Sequence, residues 1–583
     1  MGEKIKFSKG SWLENAGIVG IIRILGIDTD DDNGKNELVI DSSDLTNFSE
    51  KYFKYFVTKY GRCTKYHDII SFRGQIDDWI SGNLEKFDEK DKKKLENLLN
   101  KIKQFVDSKS YEKVKELINS KFDVENALKK CRNYYREYNK LCKVEDNDNK
   151  KSTSILEMML KEIGNIIDYF DRDDSHKYFP AKILCYKIIS MGWNNVAFLN
   201  KNSKEKDFIK EYNDYFINPV VKYFNSNHDK DKYLCSTCGR RIKKGKRCSY
   251  SYSFINGMGY DVEKKKSNSW NYVNDLLICP ICNFMYSAIP AGFNYNYFDG
   301  KGIFINYTRN LNELVKRNDA ILTKMISDSG EANRNAKSPY AAFVNSFNFK
   351  SIESSKYNLA NIQVINFDNS KGCKYIFTTV PKLASAVLYD CINKSFGTDD
   401  NLISVLENAW IKDYRGIDRY KILDDVVKRI INSANMDSLI YTIELLKATD
   451  SNDLNYNDFC ISAILNINYL YYKELNKEGG LGCMTIDEKD LKKFRREGII
   501  IRDAYRSKYN ENKAKGLAYR LLQNLKANNQ QEFLNNILNS YLYLDRIIPS
   551  EFISKQGQDI EFNQLGYAFV AGLISDSKDN VEK

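Results

Sequence analysis

The 583-residue chain is poor in histidine and proline and lacks any long apolar run. Its three histidines, His67, His176 and His228, lie far apart in the sequence, which argues against most histidine-based metal hydrolase and acid–base sites. No stretch approaches the roughly 18 consecutive apolar residues of a membrane span. Met1–Lys6 is not followed by the apolar core of a signal peptide. We therefore expect no association with a membrane.

Catalytic motifs are absent as well. The sequence has no Walker glycine loop, no nucleophile elbow and no histidine–aspartate cluster. Asp171, Asp173 and Asp174 lie near His176, but no second histidine is close, so they predict an exposed acidic loop. We predict that the protein is not an enzyme.

Positive charge and cysteine are what the chain does have. A net charge of +11 favours a polyanionic partner. Apolar residues make up 42% of the chain, enough for real cores in a protein of several domains. Thirteen cysteines, in a sequence without a recognisable export signal, predict a reducing cytoplasm.

Four of the cysteines form two pairs. Cys235-Ser-Thr-Cys238 and Cys279-Pro-Ile-Cys282 are separated by forty residues. Two such knuckles are typical of a tetrahedral four-thiolate zinc site, and Gly239 and Pro280 suit the tight turns. Four protein ligands leave no open position, so we predict a structural zinc. The alternatives are chance pairing in a cysteine-rich chain and a redox pair, which would not need two copies.

The segment between the pairs is basic and aromatic, and its remaining cysteine, Cys248, is predicted to be a free thiol. Six cations follow the first knuckle: Arg240, Arg241, Lys243, Lys244, Lys246 and Arg247. Tyr250, Tyr252 and Phe254 then alternate as in a strand. Basic side chains beside aromatics suit phosphate contact and base stacking. The alternative is a solvated basic loop over an aromatic hairpin.

The pattern of elements predicts an α+β protein: a mixed α/β N-terminal two-thirds with an inserted zinc segment, and an all-α C-terminal bundle. The predicted regions are 1–228 (α/β with a helical insertion), 229–300 (zinc segment), 301–395 (α/β) and 396–583 (helical bundle). A buried helix with close-packed glycines is expected over 11–25, and an aromatic core stripe on the helix that runs from about Ser43 to Val57. Strands are predicted over 37–40, 302–307, 362–367 and 374–379. Helices predicted in the bundle include 401–411 and 501–527.

The bundle contains a basic stretch. Lys489–Lys526 holds twelve Lys and Arg against four Asp and Glu. At about 100° per residue, four cations of the predicted helix share an arc of about 40°. They are Arg502, Arg506, Lys513 and Arg520. We predict that this face follows a nucleic-acid backbone; the alternative is an ordinary solvated helix face.

Several motifs together resemble one family. They are Trp12–Gly20 with Arg23-Ile-Leu25, the helix Leu45-x-x-Phe48-x-x-x-Tyr52-Phe53, the paired Cys-x-x-Cys knuckles and the closing Phe562–Leu573. In these the chain resembles the CXXC–CXXC, or Cst-type, CRISPR-associated proteins, large subunits of type I-B Cascade complexes.

The resemblance implies a non-enzymatic subunit that helps read the protospacer-adjacent motif on duplex DNA, supports opening of the duplex and helps recruit the helicase-nuclease. The implied partners are crRNA, target DNA with its displaced strand, and the backbone, crRNA-processing and small subunits. The basic helix face would hold the displaced strand. Polar loops that could contact the motif are Asn256–Gly259 and Asn333–Lys337, the second comprising Asn333, Arg334, Asn335, Ala336 and Lys337. A free-standing zinc-ribbon nucleic-acid-binding protein is the alternative; it explains the cysteines and charge but not the long helical tail.

The resemblance also invites a search for an internal translation start, since some Cascade families make their small subunit in this way. Lys477-Glu-Gly-Gly480 would be encoded, in the AT-rich genome that the composition suggests, by purine-rich codons with a ribosome-binding core, and Met484 follows after three residues. We predict a second product, Met484–Lys583. The alternative is that the glycines only form a loop.

Overall fold

The computed structural model describes residues 4–29, 36–82, 87–142, 149–258, 276–298, 300–307, 310–327, 339–346, 362–369, 372, 374–396, 400–449, 454–455, 458–477, 486–508 and 511–576. The chain forms two compact units. Unit 1 comprises Met1–Ala336 with Ile365–Ile376, and unit 2 comprises Lys337–Val364 with Phe377–Lys583. The four regions predicted from the sequence are a finer division and remain a prediction.

Unit 1 is predominantly helical. Its helices are α1 (Trp12–Leu25), α2 (Phe48–Tyr60), α3 (Lys65–Ile70), α4 (Arg73–Ser81), α5 (Glu89–Val106), α6 (Lys109–Val114), α7 (Val124–Leu141), α8 (Asn149–Phe170), α9 (Asp173–Leu184), α10 (Ser190–Gly192), α11 (Phe208–Tyr212), α12 (Asn218–Phe224), α13 (Pro280–Ser287), α14 (Ile289–Gly292) and α15 (Leu311–Ser327). Single π-helical turns at Cys185–Ile189 and Asn213–Ile217 follow α9 and α11.

Unit 2 continues with α16 (Pro339–Ser346), α17 (Lys382–Asn393), α18 (Ile422–Ile431), α19 (Asp437–Ala448), α20 (Asp458–Lys477), α21 (Glu488–Lys508), α22 (Glu511–Lys526), α23 (Gln530–Tyr543), α24 (Ser550–Ser554) and α25 (Asp559–Leu573). No helix in the described part of either unit is both long enough and apolar enough to cross a membrane.

The strands are short. They are β1 (Lys4–Ser8), β2 (Glu37–Asp41), β3 (Tyr233–Leu234), β4 (Arg241–Ile242), β5 (Tyr250–Ser251), β6 (Leu277–Ile278), β7 (Asn294–Tyr295), β8 (Lys301–Tyr307), β9 (Ile362–Asp368), β10 (Lys374–Thr379), β11 (Trp410–Tyr414), β12 (Ile417–Lys421) and β13 (Leu454–Asn455). Two sheets have more than two strands among the described residues, in the orders β10-β9-β8-β7 and β12-β11-β13. The predicted α+β class and the four predicted strands are confirmed.

Glycines let α1 approach α13 and α14 almost backbone to backbone. A Cβ added at Gly20 would lie 2.0 Å from the carbonyl oxygen of Ala288, and one at Gly17 would lie 2.7 Å from that of Met285. The contact is reciprocal, because a Cβ at Gly292 would lie 1.8 Å from the Ala16 oxygen. The predicted glycine-rich buried helix is therefore confirmed, and its small face is a docking surface for the helix that begins at the second cysteine pair.

Arg23, near the C-terminus of α1, adds hydrogen bonds to the contact between α1 and α14. Its guanidinium donates to the carbonyl oxygens of Ala291 and Gly292 at 2.9 and 3.0 Å and to Asp319 Oδ1 at 2.7 Å. The first two acceptors lie at the C-terminus of α14, whose last carbonyls have no helical partner. Arg23 thus caps α14 and ties it to α15.

The aromatic stripe of α2 forms the neighbouring core. Tyr52, Phe53 and Phe56 are all buried, as predicted. Tyr52 and Trp193 both donate to the carbonyl oxygen of Ser287, at 3.0 and 2.9 Å. Both α2 and the segment that follows α10 therefore contact the C-terminal end of α13.

Two predictions for the C-terminal region were wrong. Residues 401–411 do not form a helix; Trp410–Tyr414 is strand β11, paired antiparallel with β12. Arg415 and Gly416 make the turn with φ of 54° and 75°, backbone angles that end any helix and suit a tight hairpin. The predicted helix 501–527 is two helices, α21 and α22. The region is helical but carries a small sheet.

The last helices of unit 2 share one core. A Cβ at Gly498 of α21 would lie 2.1 Å from the Phe569 oxygen, and one at Gly572 of α25 would lie 2.1 Å from the Arg495 oxygen, so α21 and α25 cross very closely. Around this crossing five phenylalanine rings make mutual contacts: Phe494, Phe533, Phe552, Phe562 and Phe569. All of them lie within residues 486–576.

Candidate metal centre and basic surface

The first cysteine pair lies in the turn between β3 and β4. The Gly239 nitrogen donates to the Cys235 oxygen at 2.9 Å, and the Cys235 nitrogen donates to the Arg240 oxygen at 2.8 Å. Gly239 adopts φ of 71°, in the left-handed region that favours glycine. This tight closure places Cys235 and Cys238 on the same side of the turn.

The second pair begins α13. Cys279 is the N-cap residue, and its Sγ accepts from the Cys282 nitrogen at 3.4 Å. Pro280 occupies the first turn, where its missing N–H costs no hydrogen bond. The two pairs are joined directly, because the Cys279 nitrogen donates to Cys235 Sγ at 3.2 Å.

The four sulfurs converge. All ligand atoms of Cys235, Cys238, Cys279 and Cys282 lie within 4.8 Å of one another, and Cys238 Sγ and Cys279 Sγ are 3.6 Å apart. Tetrahedral Zn–S bonds of about 2.3 Å require sulfurs about 3.8 Å apart. A disulfide needs about 2.05 Å. The spacing therefore fits a four-thiolate metal site and not a redox-active bridge.

The charge state of the cluster points the same way. Hydrogen bonds from the Cys238, Cys279 and Cys282 thiols lower the pKa of Cys235, whereas hydrogen bonding to Cys235 raises the pKa of Cys282. Four thiolates at this spacing would repel one another. A divalent cation would remove that repulsion and accept all four sulfurs equally.

Most of the predicted cations beside the cluster face solvent. Five are exposed, and we call them the basic loop: Arg241, Lys243, Lys244, Lys246 and Arg247. Arg240 differs, because it is half-buried and its guanidinium donates to the Lys6 oxygen at 3.2 Å. Arg240 therefore anchors the loop to β1. Arg241 is exposed but donates to the Asp231 oxygen at 3.2 Å, and the four remaining cations face solvent.

The aromatic residues behind the loop are packed inside. Tyr250 and Phe254 are 8% and 4% exposed, and the Tyr252 hydroxyl shares a hydrogen bond with Thr237 Oγ1 at 2.5 Å. Tyr250 and Phe254 are therefore not placed to stack on bases, and Tyr252 is half-buried and tied to Thr237. The alternative of a basic loop over an aromatic hairpin describes this segment better. The exposed apolar side chains here are instead Leu234 and Leu276, with Tyr233 beside them.

The residues of the two polar loops predicted to contact DNA are either bonded within the protein or outside the described residues. The Asn256 side-chain nitrogen donates to the carbonyl oxygens of Ser190 and Met191 at 2.6 and 3.0 Å. Both its N–H groups are thereby used within the protein, and the predicted contact of Asn256 with DNA stays a prediction. Asn333, Arg334, Asn335, Lys337 and Met484 lie outside the described residues.

The predicted basic helix face does not exist as one surface. Arg502 is 5% exposed and donates to the Ser575 oxygen at 2.7 Å and to Asp503 Oδ1 at 2.9 Å. Arg506 is half-buried on α21, whereas Lys513 and Arg520 are exposed on α22. The four cations do not share one arc, because residues 502–520 belong to two helices and not to one. Lys513 and Arg520 remain candidates for contact with nucleic acid.

Comparison with known proteins agrees with the cysteine geometry. Residues 228–294 match the family of CRISPR-associated proteins designated Cas_CXXC_CXXC. This match supports the resemblance of the chain to the CXXC–CXXC CRISPR-associated proteins. The match covers both cysteine pairs, the basic loop and all of α13 and α14. No curated protein and no solved structure shows significant similarity to the chain.

One motif noted in the sequence lies against the segment that matches the family. The Asn15-Ala-Gly-Ile-Val-Gly20 segment contacts α13 and α14, which the family match contains. This contact was not predicted from the sequence, although Gly17 and Gly20, three residues apart in an apolar helix, are a sign of close helix packing. It also missed the hairpin β11–β12.

Proposed function

We propose that this CRISPR-associated protein is the large subunit of a type I-B Cascade complex. In that complex it would help recognise the protospacer-adjacent motif and support crRNA-guided opening of target DNA. It would also help recruit the helicase-nuclease, without being an enzyme itself. The observation that carries the proposal is the juxtaposition, within the family-matched segment, of a four-cysteine cluster and five exposed cations on one rigid frame.

In this proposal the metal is a structural zinc held by Cys235, Cys238, Cys279 and Cys282. It supplies a fixed link between the β3–β4 turn and the start of α13. Because α1 docks on α13 and α14, the link also fixes the N-terminal helix. The zinc thereby sets the position of the basic loop relative to the core of unit 1.

The protein's own side chains would act on DNA through charge. Exposed lysines and arginines contact phosphates and add affinity without reading sequence. Pairing of target DNA with crRNA would supply most of the sequence discrimination. The displaced strand, the crRNA and the other Cascade subunits are the proposed partners, and the cytoplasm is the proposed site of action.

The test is assembly of the complex from this chain, crRNA and the products of the neighbouring genes, followed by measurement of its affinity for target duplex. Replacing Lys243, Lys244 and Lys246 with Gln should weaken target binding about equally for all motif sequences and flatten its salt dependence. The matched control replaces Lys90, Lys93 and Lys109, three exposed lysines elsewhere in unit 1, with Gln.

Assembly of a crRNA-bearing complex that captures target equally well without this chain would refute the proposal. A chain that binds nucleic acid alone and never joins a crRNA complex would favour the free-standing zinc-ribbon protein instead.

A further inference from the structure

The hairpin β11–β12 of unit 2 carries three positively charged residues on one face. Side chains of paired residues share a face, and the register pairs Lys412 with Arg419 and Trp410 with Lys421. Tyr414 pairs with Ile417 at the tip, on the same face as these two pairs. The face therefore consists of three cations, two aromatic rings and one isoleucine.

The pairing of Lys412 with Arg419 is unfavourable in itself. Like charges directly opposite in an antiparallel pair destabilise the sheet. Both side chains are exposed. Over the whole hairpin, residues 410–421, the sequence has four cations and two aspartates. An anion that lies across this face would reduce the repulsion between these two side chains.

Two arginines are held in place by aromatic rings. The Arg419 guanidinium carbon lies 5.2 Å from the centre of the Trp410 ring, and that of Arg415 lies 5.1 Å from Tyr414 and 5.9 Å from Tyr420. Stacking of this kind reduces the rotational freedom of a long side chain before it binds. It also covers the aromatic faces, so these rings are poorly placed to stack on unpaired bases.

The shape of the hairpin suits a groove. β13 pairs with β11 only at Trp410 and Ile411, at the base of the hairpin. On the other side of β11, β12 is the edge strand of this sheet among the described residues. Five strand residues at about 3.4 Å each give a ribbon about 17 Å long. A two-stranded ribbon enters the major groove of B-form DNA, which is about 12 Å wide. The major groove of A-form helices is too narrow for it.

The tip adds an apolar contact. Ile417 is 40% exposed beside the Arg415–Gly416 turn, and Arg415 is exposed as well. An exposed isoleucine next to an arginine at the end of a basic ribbon suits contact with base edges or thymine methyl groups. In an isolated surface turn, the same isoleucine would only expose apolar area to water.

We propose that the β11–β12 hairpin is a binding element for the groove of duplex DNA, with Lys412, Arg415 and Arg419 contacting phosphates and Ile417 facing the bases. This inference rests on the proposed role of the chain in binding target DNA and assigns it a second element, outside the family-matched segment. The element was not predicted from the sequence.

The experiment measures binding of the full chain to a fluorescent B-form DNA duplex, and to one of its strands alone, over a range of salt concentrations. The test variant replaces Lys412, Arg415 and Arg419 with Gln. The control variant replaces Lys382, Lys428 and Arg546, three exposed cations of the same unit, with Gln. Thermal unfolding of both variants checks that the fold is kept.

We expect the hairpin variant to lose at least about tenfold in duplex affinity. The slope of log K against log salt should fall by about 3, because each phosphate that the protein no longer neutralises removes about 0.9 from it. Single-strand binding should change no more than in the control. Arg419→Lys should retain most of the affinity, because it keeps the charge.

Duplex affinity equal to that of the control variant would overturn the assignment of the hairpin and leave the proposed function standing. An equally large loss of affinity for the single strand would overturn the proposal that the hairpin binds in a groove of the duplex. A wild-type chain that binds no duplex at any salt concentration would also overturn the assignment of the hairpin, whereas the proposed function is tested separately in the assembled complex.

Discussion

Gly20→Ala tests whether the contact of α1 with α14 determines the stability of unit 1. The added Cβ would lie 2.0 Å from the Ala288 oxygen, 2.8 Å from its carbon and 3.1 Å from its Cβ. All three distances are shorter than ordinary contact, and two of the atoms are backbone, so no side chain can move aside. The helices must separate by about 1 Å, and overpacking of this kind costs about 1–3 kcal/mol.

Thermal unfolding of the purified variant measures the effect. A loss of this size should lower the Tm by several degrees, at roughly 2–4 °C per kcal/mol for a large domain. The matched control is Gly164→Ala in the middle of α8, where the nearest atom to an added Cβ is Arg73 Nη1 at 3.7 Å. That control should be neutral or stabilise the protein by up to about 1 kcal/mol, because alanine favours a helix. A Gly20 variant as stable as the control would refute the close-contact argument.

Four further outcomes follow from the structure. Cys279→Ser should abolish binding of zinc, measured by metal analysis of the purified protein, and should expose residues 229–300 to protease before unit 2; retained zinc would contradict the four-ligand site. Glu444→Gln should stabilise unit 2 at neutral pH, because Glu444 is fully buried, neither carboxylate oxygen has a partner among the described residues, and burial raises its pKa well above the ordinary value. Above the ordinary glutamate pKa, unfolding releases the proton that Glu444 holds in the folded protein, so the stability of the wild type should fall as pH rises from about 4.5. The difference in stability between wild type and Glu444→Gln should therefore disappear on acidification, and a difference that is independent of pH would count against this. Expression of the intact gene with a C-terminal tag should give a second product of 100 residues that disappears with Met484→Leu, whereas a single full-length product would end that idea. Replacing Lys513 and Arg520 with Gln should weaken single-strand binding without altering sequence preference, and an unchanged salt slope would exclude that surface.

Local sequence pattern was sufficient to predict the four-cysteine cluster and much of the first unit. The two Cys-x-x-Cys spacings identified four cysteines that meet in space, because each spacing confines two sulfurs to one turn. The α2 stripe and the paired strands β9 and β10 followed from periodicity. The hairpin β11–β12 did not, because it is short and its cations interrupt the apolar alternation that indicates a strand.

The sequence by itself determined which residues could hold a metal, that the chain is basic and which helices carry apolar faces, since these depend on residue type and spacing within one element. Only the tertiary structure decided which cations remain available. Arg502 has the same chemistry as Arg520, yet one donates inside the bundle to Ser575 while the other faces solvent. That difference arises because α21 and α22 are separate helices, and the burial of a side chain depends on what other elements place against it.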